Sequence, residues 1–340
     1  MQSILGIDIG SHSVKLIELS KDGTAFTLLA AGSMPTPPKT QSSNLLIDEQ
    51  ALGHLLKQLV KGTGAKSREV AVALPEAQVF TRVIEMPALS TQELASAIRW
   101  EAEQYIPLPL DQVNMDYTVV SDGKDTVGGK MEILLVAAPK ALTDRYMAIL
   151  EMAELLPISA ETDIIASCRA LIRSVPNVSN TMIVSFGGQT TDVAIMRHGV
   201  ICFTRSMSAG GDALTRAIAQ SLEFSMLQAE AYKKTYGLEK KILEGKLFEV
   251  EKPVMETIIG ELKRAIGYFE EKYKGEHIGV IILTGGNAKL PGLVAYMAET
   301  LGIESQVANP WLGIKKDGRF AVLNNEGPLF SVAVGLALRD

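Results

Sequence analysis

The residues Gly6-Ile7-Asp8-Ile9-Gly10-Ser11 form an apolar strand that carries one acid and ends at a glycine. A glycine at a strand tip lets backbone N–H groups approach an anion with no side chain in the way. Lys15, on the returning strand, can reach the same anion as a point charge, and Asp8 suits a magnesium ion held through water. Taken alone, the pattern also fits an ordinary hairpin turn.

The same pattern returns about half a chain later. Val184-Ser185-Phe186-Gly187-Gly188 aligns with Ile7 to Ser11, and Gln189-Thr190-Thr191-Asp192 adds hydroxyl groups and an acid to the second tip. Self-similarity of this kind predicts a pseudo-duplicated chain. Two glycine-rich tips that face one another can hold a polyphosphate from both sides.

A third glycine-containing segment, Leu283-Thr284-Gly285-Gly286-Asn287, follows a wholly apolar strand. Glycines there allow a flat adenine or ribose to pack on the backbone, and the N-terminus of the following helix favours negative charge. The sequence contains neither the P-loop pattern GxxxxGK[ST] nor the dinucleotide pattern GxGxxG. P-loop and dinucleotide-binding folds are therefore excluded.

Composition narrows the class of protein. The chain has 340 residues, of which 47% are hydrophobic and 21% charged, and this predicts a folded protein of two or more domains. A formal net charge of −6 without long basic runs argues against nucleic-acid binding. Cys168 and Cys202 have no partner at metal-ligand spacing, which favours a reducing compartment. We expect no signal peptide and no membrane-spanning segment.

The residues between the two repeats predict an insertion. A strand over residues 79–85, a helix over 92–105, strands over 114–120 and 131–137 and a helix over 142–153 form a compact unit. Other predictions are a proline-rich surface loop from Met34 to Pro38, because proline lacks a ladder donor, and helices over residues 212–236 and 254–274.

In order, the three glycine-rich motifs resemble the two phosphate motifs and the adenosine motif of the superfamily of actin, sugar kinases and heat-shock chaperones. The resemblance implies an α/β, actin-like or ribonuclease-H-like two-lobed ATPase fold with an inserted subdomain of the FtsA type. The domains it implies are a first lobe (1–81), the inserted subdomain (82–153), a return to the first lobe (154–180), a second lobe (181–325) and a C-terminal helix that returns to the first lobe (326–340).

The resemblance also implies ATP and magnesium as ligands. Gly210-Gly211-Asp212, followed by Glu230 and Lys233 in a helix, is similar to the FtsA branch of the superfamily. The implied phosphate-binding residues are Gly10, Ser11, His12, Lys15, Gly187, Gly188, Gln189, Thr190 and Thr191. The implied adenosine-binding residues are Gly210, Gly211, Glu230, Lys233, Gly285, Gly286, Asn287 and Lys289. Asp8 and Asp192 are the implied acids near magnesium, both acting through water.

Within the insertion, Arg99 to Pro109 and Val113 to Tyr117 resemble the PilM family of type IV pilus assembly proteins. The resemblance implies a cytoplasmic adaptor that takes the short N-terminal cytoplasmic tail of the membrane protein PilN into a groove beside the first lobe. The protein would thereby be recruited to the inner face of the membrane. Contact with the pilus motor ATPases and self-association are further expectations. The candidate groove residues are Arg82, Glu85, Pro87, Trp100 and Tyr105, although Trp100 and Tyr105 could equally pack the inserted helix onto its sheet.

One position departs from the superfamily pattern. Ser185 stands where hydrolytic members commonly carry aspartate, and a hydroxyl cannot orient or deprotonate water as a carboxylate does. We therefore expect weak or absent ATPase activity. Glu161 and Asp163 lie near the position where related enzymes hold water, and we interpret Asp163 as a helix N-cap.

Two alternative functions stay open at this stage. The first is a filament-forming or divisome actin of the FtsA or MreB type, and the absence of a basic amphipathic segment after Leu338 argues against FtsA. The second is a small-molecule kinase of the same fold. Such a kinase needs a polar substrate pocket with an acidic base, for which the sequence shows no clear set of residues.

Overall fold

The computed structural model describes residues 3–37, 48–123 and 129–339, without the side chain of residue 243. In chain order the strands are β1 (Ser3–Ile9), β2 (Ser13–Asp22), β3 (Ala25–Pro35), β4 (Glu69–Leu74), β5 (Phe80–Pro87), β6 (Val113–Ser121), β7 (Lys130–Pro139), β8 (Leu156–Thr162), β9 (Asn180–Phe186), β10 (Thr191–Arg197), β11 (Val200–Met207), β12 (Val280–Thr284), β13 (Ser305–Val307) and β14 (Ile314–Lys315).

The α-helices are α1 (Glu49–Thr63), α2 (Thr91–Ala102), α3 (Lys140–Met152), α4 (Asp163–Leu171), α5 (Gly211–Leu222), α6 (Met226–Tyr236), α7 (Lys246–Lys272), α8 (Leu293–Leu301) and α9 (Gly327–Ala337). Short 3-10 helices cover Glu76–Gln78, Leu110–Gln112, Ile172–Ser174, Ile242–Gly245 and Gly318–Glu326. No helix in these described parts of the chain is long and apolar enough to cross a membrane.

The two large sheets have the same topology. The strand order is β3-β2-β1-β4-β8 in the first lobe, with β14 beside β3, and β11-β10-β9-β12-β13 in the second lobe. In each sheet three antiparallel strands form a meander, and two parallel strands follow on the other side of its first strand. This repeated connectivity confirms the predicted pseudo-duplication, and it gives the tips of β1–β2 and β9–β10 equivalent positions in the two lobes.

The C-terminal helix α9 packs directly on the first-lobe sheet. A Cβ at Gly6 in β1 would overlap the carbonyl oxygen of Ala333 in α9, and a Cβ at Gly335 would overlap the carbonyl oxygen of Ala166 in α4. Glycine is needed at both positions because the backbones approach too closely for any side chain. The helix is therefore part of the first-lobe core.

The insertion forms its own three-stranded sheet, ordered β5-β7-β6, with α2 packed on one face. Ile84 and Ile133 from the sheet meet Leu94 and Ile98 from α2 in its core. The following helix α3 packs instead with α1 in the first-lobe core. The exact domain boundaries given above stay a prediction.

The single long helix predicted over residues 212–236 is wrong, because the chain breaks it into α5 and α6. Glu223 adopts a left-handed backbone with φ 55°, and its N–H closes α5 on Ala219. Ser225 then caps α6 in a reciprocal capping box with Gln228. The pattern Ser-x-x-Gln is a helix start signal that the apolar periodicity masked.

Two further boundaries differ from the prediction. Strand β3 continues to Pro35, which pairs with Ser13, so the predicted loop begins too early. Proline is tolerated there because β14 pairs with β3 at Phe26 and Thr27, and no other strand of the described residues pairs along the outer side of β3. Pro38 lies outside the described residues. Helix α7 begins well before residue 254 and carries Pro253 inside it.

Candidate functional site

A cavity of about 370 Å³ lies between the two lobes, at the tips of the equivalent hairpins. Most residues predicted to bind phosphate or magnesium line it, namely Asp8, Gly10, Ser11, His12, Lys15, Gly187, Gly188, Gln189, Thr190 and Asp192. Gly285 and Gly286 from the third motif also line this cavity. Thr191 does not, because its buried hydroxyl donates to the carbonyl of Ala209 at 2.6 Å.

The two hairpin tips meet across the cavity. His12 in the first lobe places Nε2 3.1 Å from Oδ1 of Asp212 in the second lobe. A Cβ at Gly188 would overlap the His12 ring and would lie 2.8 Å from the hydroxyl of Ser11. A side chain at position 188 would have to displace the His12 and Ser11 side chains, so the two tips enclose a narrow space.

An ion pair forms the first-lobe side of the cavity. Lys15 on β2 donates to Asp8 on β1 at 3.0 Å, and both side chains are nearly buried. The two residues are cross-strand neighbours in the β1–β2 ladder. This pairing places one cation and one carboxylate at the cavity wall, which is the charge pattern predicted from the sequence.

Two further carboxylates close the base of the cavity. Asp192 accepts hydrogen bonds from Thr190, at 3.0 Å, and from Ser206, while burial raises the pKa of its carboxyl group. Asp163 is half-buried at the cavity wall, and its desolvation together with the nearby Asp192 raises its pKa well above the ordinary value. Within the described residues, one carboxylate oxygen of Asp163 has no hydrogen-bond partner.

The interpretation of Asp163 as a helix N-cap is wrong by one residue. Thr162 is the N-cap of α4, without a side-chain capping bond, and Asp163 occupies the first helical turn. Its carboxyl group therefore points into the interlobe cavity instead of closing the helix end. The sequence alone could not show that Asp163 faces the cavity, because both lobes contribute to the cavity wall around it.

Part of the predicted adenosine set packs behind the second tip. The N–H of Gly211 donates to the carbonyl of Gly187 at 3.0 Å, and the Asn287 amide donates to the same carbonyl at 2.8 Å. Gly210, the residue before α5, lies so close to the carbonyl groups of Gly187 and Gly188 that a Cβ there would overlap them. These contacts hold the tip of β9–β10 in place.

The remaining predicted adenosine residues form two separate groups. Lys233 is only 2% exposed, pairs with Glu230 at 2.7 Å and donates to the carbonyl of Gly211 at 3.1 Å. Burial opposes ionisation of Glu230, but hydrogen bonds from Lys233 and Thr215 lower its pKa to about 2. Lys289 instead donates to the carbonyl of Asn325 at 2.6 Å, so it lies apart from this cluster.

The residues at the first cavity fit a nucleotide polyphosphate and a hydrated magnesium ion. The glycine tips leave a backbone-lined space that a Cβ would fill, and Lys15 supplies a cation. Asp8 and Asp192 supply the hard oxygen ligands that magnesium prefers. The described ranges contain no group of three or more His, Cys, Asp or Glu side chains that could hold a metal ion directly.

A second cavity, of about 390 Å³, lies between the inserted subdomain and the first lobe. Strand β6 lines one side with Asn114, Met115 and Asp116, and strand β8 lines the other with Pro157 and Ile158. Both are edge strands of their sheets. We call this cavity the β6–β8 groove.

The five residues predicted for peptide binding lie elsewhere. None of them lines the β6–β8 groove. The Arg82 guanidinium stacks on the Tyr105 ring with 5.0 Å to its centroid, Glu85 pairs with Lys272 at 3.5 Å, and Trp100 is 75% exposed on α2. Pro87 ends β5, at the opposite edge of the inserted sheet from β6. Their role in binding stays a prediction.

Sequence reasoning missed several residues of the two cavities. Tyr146 on α3 lines the first cavity, and burial together with the nearby Asp8 and Asp163 raises the pKa of its phenol. Thr36 lines it as well, and its hydroxyl donates to the carbonyl of Gly10 at 2.7 Å. No single stretch of sequence indicates the β6–β8 groove, because its lining comes from β6, α3 and β8.

A family model described as type IV pilus assembly protein PilM matches residues 6–340. The solved structure of a PilM-PilN type IV pilus biogenesis complex is similar, with a TM-score of 0.85 and 29% sequence identity, over 99% of this chain and 98% of that chain.

More distant relatives show the fold. Cell division protein FtsA of Enterococcus hirae is 24% identical over 90% of this chain and 78% of its own length. MreB 5 of Spiroplasma citri, solved bound to AMPPNP, has a TM-score of 0.55 and 14% identity over 98% of this chain and 95% of that chain. The chain therefore has the actin-like fold that the three glycine-rich motifs predicted.

Proposed function

The chain belongs to the family of the type IV pilus assembly protein PilM, and on this premise we propose that it is an ATP-binding adaptor that holds the N-terminal cytoplasmic tail of PilN. The observation that carries the proposal is the β6–β8 groove, which lies between the inserted subdomain and the first lobe. The similarity to a solved PilM-PilN complex over 99% of the chain supports the choice of PilN as the partner.

The groove offers both backbone and apolar partners to an extended peptide. Because β6 and β8 are edge strands, each presents N–H and C=O groups that no other strand in the described parts of the chain uses. Met115, Met147 and Ile158 supply apolar surface for alternate side chains of the peptide. This combination is the basis of peptide binding by strand addition.

The charge at the rim favours a basic peptide. Asp116 and Asp144 line the groove and are exposed. Glu161 also lines it but pairs with Arg169 and, at 3.3 Å, with Arg339. The two exposed acids therefore favour a tail that carries a lysine or arginine near its apolar anchors.

The interlobe cavity is the proposed site of ATP and magnesium. Lys15 and the tips at Gly10 and Gly188 would hold the phosphates, and Asp8 and Asp192 would hold the metal ion through water. Magnesium supplies charge neutralisation of the phosphates when it is bound. Ser185 also lines this cavity and contributes no charge, so we assign ATP a structural or switching role with little hydrolysis.

The cellular consequence is recruitment. A protein that binds the cytoplasmic tail of an inner-membrane protein is held by that tail at the inner face of the membrane. Contact with the pilus motor ATPases and self-association stay predictions, because no surface of the described residues is specific to either of them.

Calorimetric titration with a synthetic peptide that copies the PilN tail of the same organism tests the proposal. We expect micromolar binding that Ile158→Glu weakens at least tenfold, because a carboxylate would be buried against the peptide. Leu227→Glu, at an 83% exposed position on α6, is the matched control and should bind as the wild type does. Absence of wild-type binding, with and without ATP, would exclude the adaptor function.

A further inference from the structure

The inserted subdomain is connected in sequence to the first lobe, but it also makes buried contacts with the second lobe. Covalently it belongs to the first lobe, through Pro75 and the 3-10 helix at its start and through Pro139 at its end. Away from its base in the first lobe it borders the β6–β8 groove, whereas on the second-lobe side it makes buried polar contacts.

The buried part of the contact with the second lobe is a clasp of three residues, Glu132, Lys272 and Tyr273, and Lys272 also pairs with Glu85 on β5 at 3.5 Å. Glu132 on β7 is 3% exposed and accepts hydrogen bonds from the Tyr273 hydroxyl at 2.9 and 3.0 Å. Lys272, at the end of α7, lies 2.7 Å from the same carboxylate. A buried carboxylate with these partners resists separation, because parting them would leave its charge unpaired.

Other second-lobe residues hold the Tyr273 side chain in position. The Arg197 guanidinium on β10 stacks over the Tyr273 ring at 4.6 Å from its centroid, and Arg197 pairs with Glu276 at 2.6 Å. Strand β11 of the second lobe also packs against β5 and β6 of the inserted sheet, and Leu134 on β7 belongs to a buried cluster that contains residues of both lobes.

The opposite end of β7 lies in the first lobe. Ala138 and Val79, at the base of the inserted sheet, are part of the first-lobe core. Beyond this base, Asn114 on β6 donates to Thr143 on α3 at 2.8 Å, and the β6–β8 groove follows. Strand β7 is thus anchored in the first lobe at Ala138 and bound to the second lobe at Glu132, six residues earlier in the strand.

We infer that the inserted subdomain moves with the second lobe, so that opening or closing of the interlobe cleft changes the width of the β6–β8 groove through the Glu132–Lys272–Tyr273 clasp. The inference rests on the proposed function, because the motion of the inserted subdomain would regulate the proposed peptide site. A ligand that favours one interlobe angle then changes peptide affinity, and the peptide changes the affinity of that ligand by the same factor.

Distance measurement across the groove tests the clasp without any peptide. Spin labels are attached to cysteines introduced at Thr118 on β6 and Leu156 on β8, both exposed positions. The native Cys168 and Cys202 are buried and stay unlabelled. Pulsed electron resonance should give a broader distance distribution in Glu132→Gln/Tyr273→Phe than in the parent protein. The single variant Tyr273→Phe, which removes one hydroxyl group, should give a smaller broadening.

The control variant is Glu299→Gln, which breaks an exposed second-lobe ion pair with Lys240 and should leave the distribution unchanged. An unchanged distribution in both clasp variants would overturn the inference. As a second readout, magnesium-AMPPNP should change the affinity of the PilN peptide about fivefold or more in the parent protein and should have no effect in the double variant. If the parent protein binds no peptide at all, the proposed function fails, and the label distances alone decide the inference.

Discussion

Gly188, at the tip of the second-lobe hairpin, lies against His12, at the tip of the first-lobe hairpin, so closely that a Cβ on Gly188 would overlap the imidazole ring. This contact joins two segments that the sequence separates by about half the chain. It defines one narrow interlobe space, and the nucleotide proposal depends on the shape of that space.

Replacing Gly188 with alanine should weaken nucleotide binding. The new methyl group must displace His12 and Ser11, which pushes the two tips apart. We expect about a tenfold loss of ATP affinity, which corresponds to ~1.4 kcal/mol, measured by titration calorimetry. Gly267→Ala is the control, because a Cβ there meets nothing within 4 Å on helix α7. It should bind ATP normally and gain ~0.5–1 kcal/mol of stability.

Replacing Asp8 with asparagine should reduce magnesium-dependent affinity specifically. The substitution keeps the shape of the side chain but removes the negative charge that faces both Lys15 and the proposed metal ion. The gain in ATP affinity on adding magnesium should shrink at least tenfold. Asp22→Asn, at the exposed end of β2, should keep the full magnesium effect. An unchanged magnesium effect in Asp8→Asn would mean that the metal site is misplaced.

Ser185 sets the expected rate of hydrolysis. The wild-type turnover of ATP should be on the order of 10⁻⁴ s⁻¹, the range of an intrinsic GTPase that lacks its activating arginine. Ser185→Asp should raise it at least tenfold and should destabilise the fold by about 1 kcal/mol, because the new carboxylate is the cross-strand neighbour of Asp192. Ser185→Asn keeps the size without the charge and should stay slow. Wild-type turnover near 1 s⁻¹ would contradict this account of Ser185.

A buried acid in the second lobe predicts a pH-dependent stability. Glu251 on α7 is completely buried, and within the described residues neither carboxylate oxygen has a hydrogen-bond partner. Burial raises its pKa from 4.5 to about 8, although the nearby Lys233 opposes the rise. The folded state therefore keeps a proton that the unfolded chain releases, so the free energy of unfolding falls as pH rises from about 4.5 to about 8.

Glu251→Gln removes this dependence. Denaturant unfolding should show similar stability for wild type and variant near pH 5 and a variant more stable by a few kcal/mol near pH 9. Glu256→Gln, at an exposed position of the same helix, should show no such difference. Equal wild-type and Glu251→Gln stabilities at both pH values would contradict the assignment.

The sequence predicted the parts of the fold that depend on local chemistry. Strand patterns that end in glycine identified both hairpins, and their repetition predicted two equivalent sheets. Local signals were also present where the prediction was wrong, since Ser225 and Gln228 mark the start of α6. The apolar periodicity that runs through residues 212–236 concealed this break.

The features that the sequence did not predict depend on tertiary packing. The place of Pro35 in a strand depends on where β14 stops pairing, and the burial of Asp163 depends on both lobes. The β6–β8 groove combines strands from two subdomains, so no single segment carries its pattern. For the same reason the sequence-based candidates Trp100 and Tyr105 lie on α2 and beside its end, away from the groove.

Photo-cross-linking tests the central claim most directly. A PilN-tail peptide with a photoreactive side chain at each apolar position in turn is irradiated with the full-length protein, and the attached residues are identified by mass spectrometry. We predict cross-links to residues 114–116 of β6 and 157–160 of β8, with competition by unlabelled peptide. Competed cross-links that cluster on α2 around Trp100 and Tyr105, with none on β6 or β8, would contradict the account.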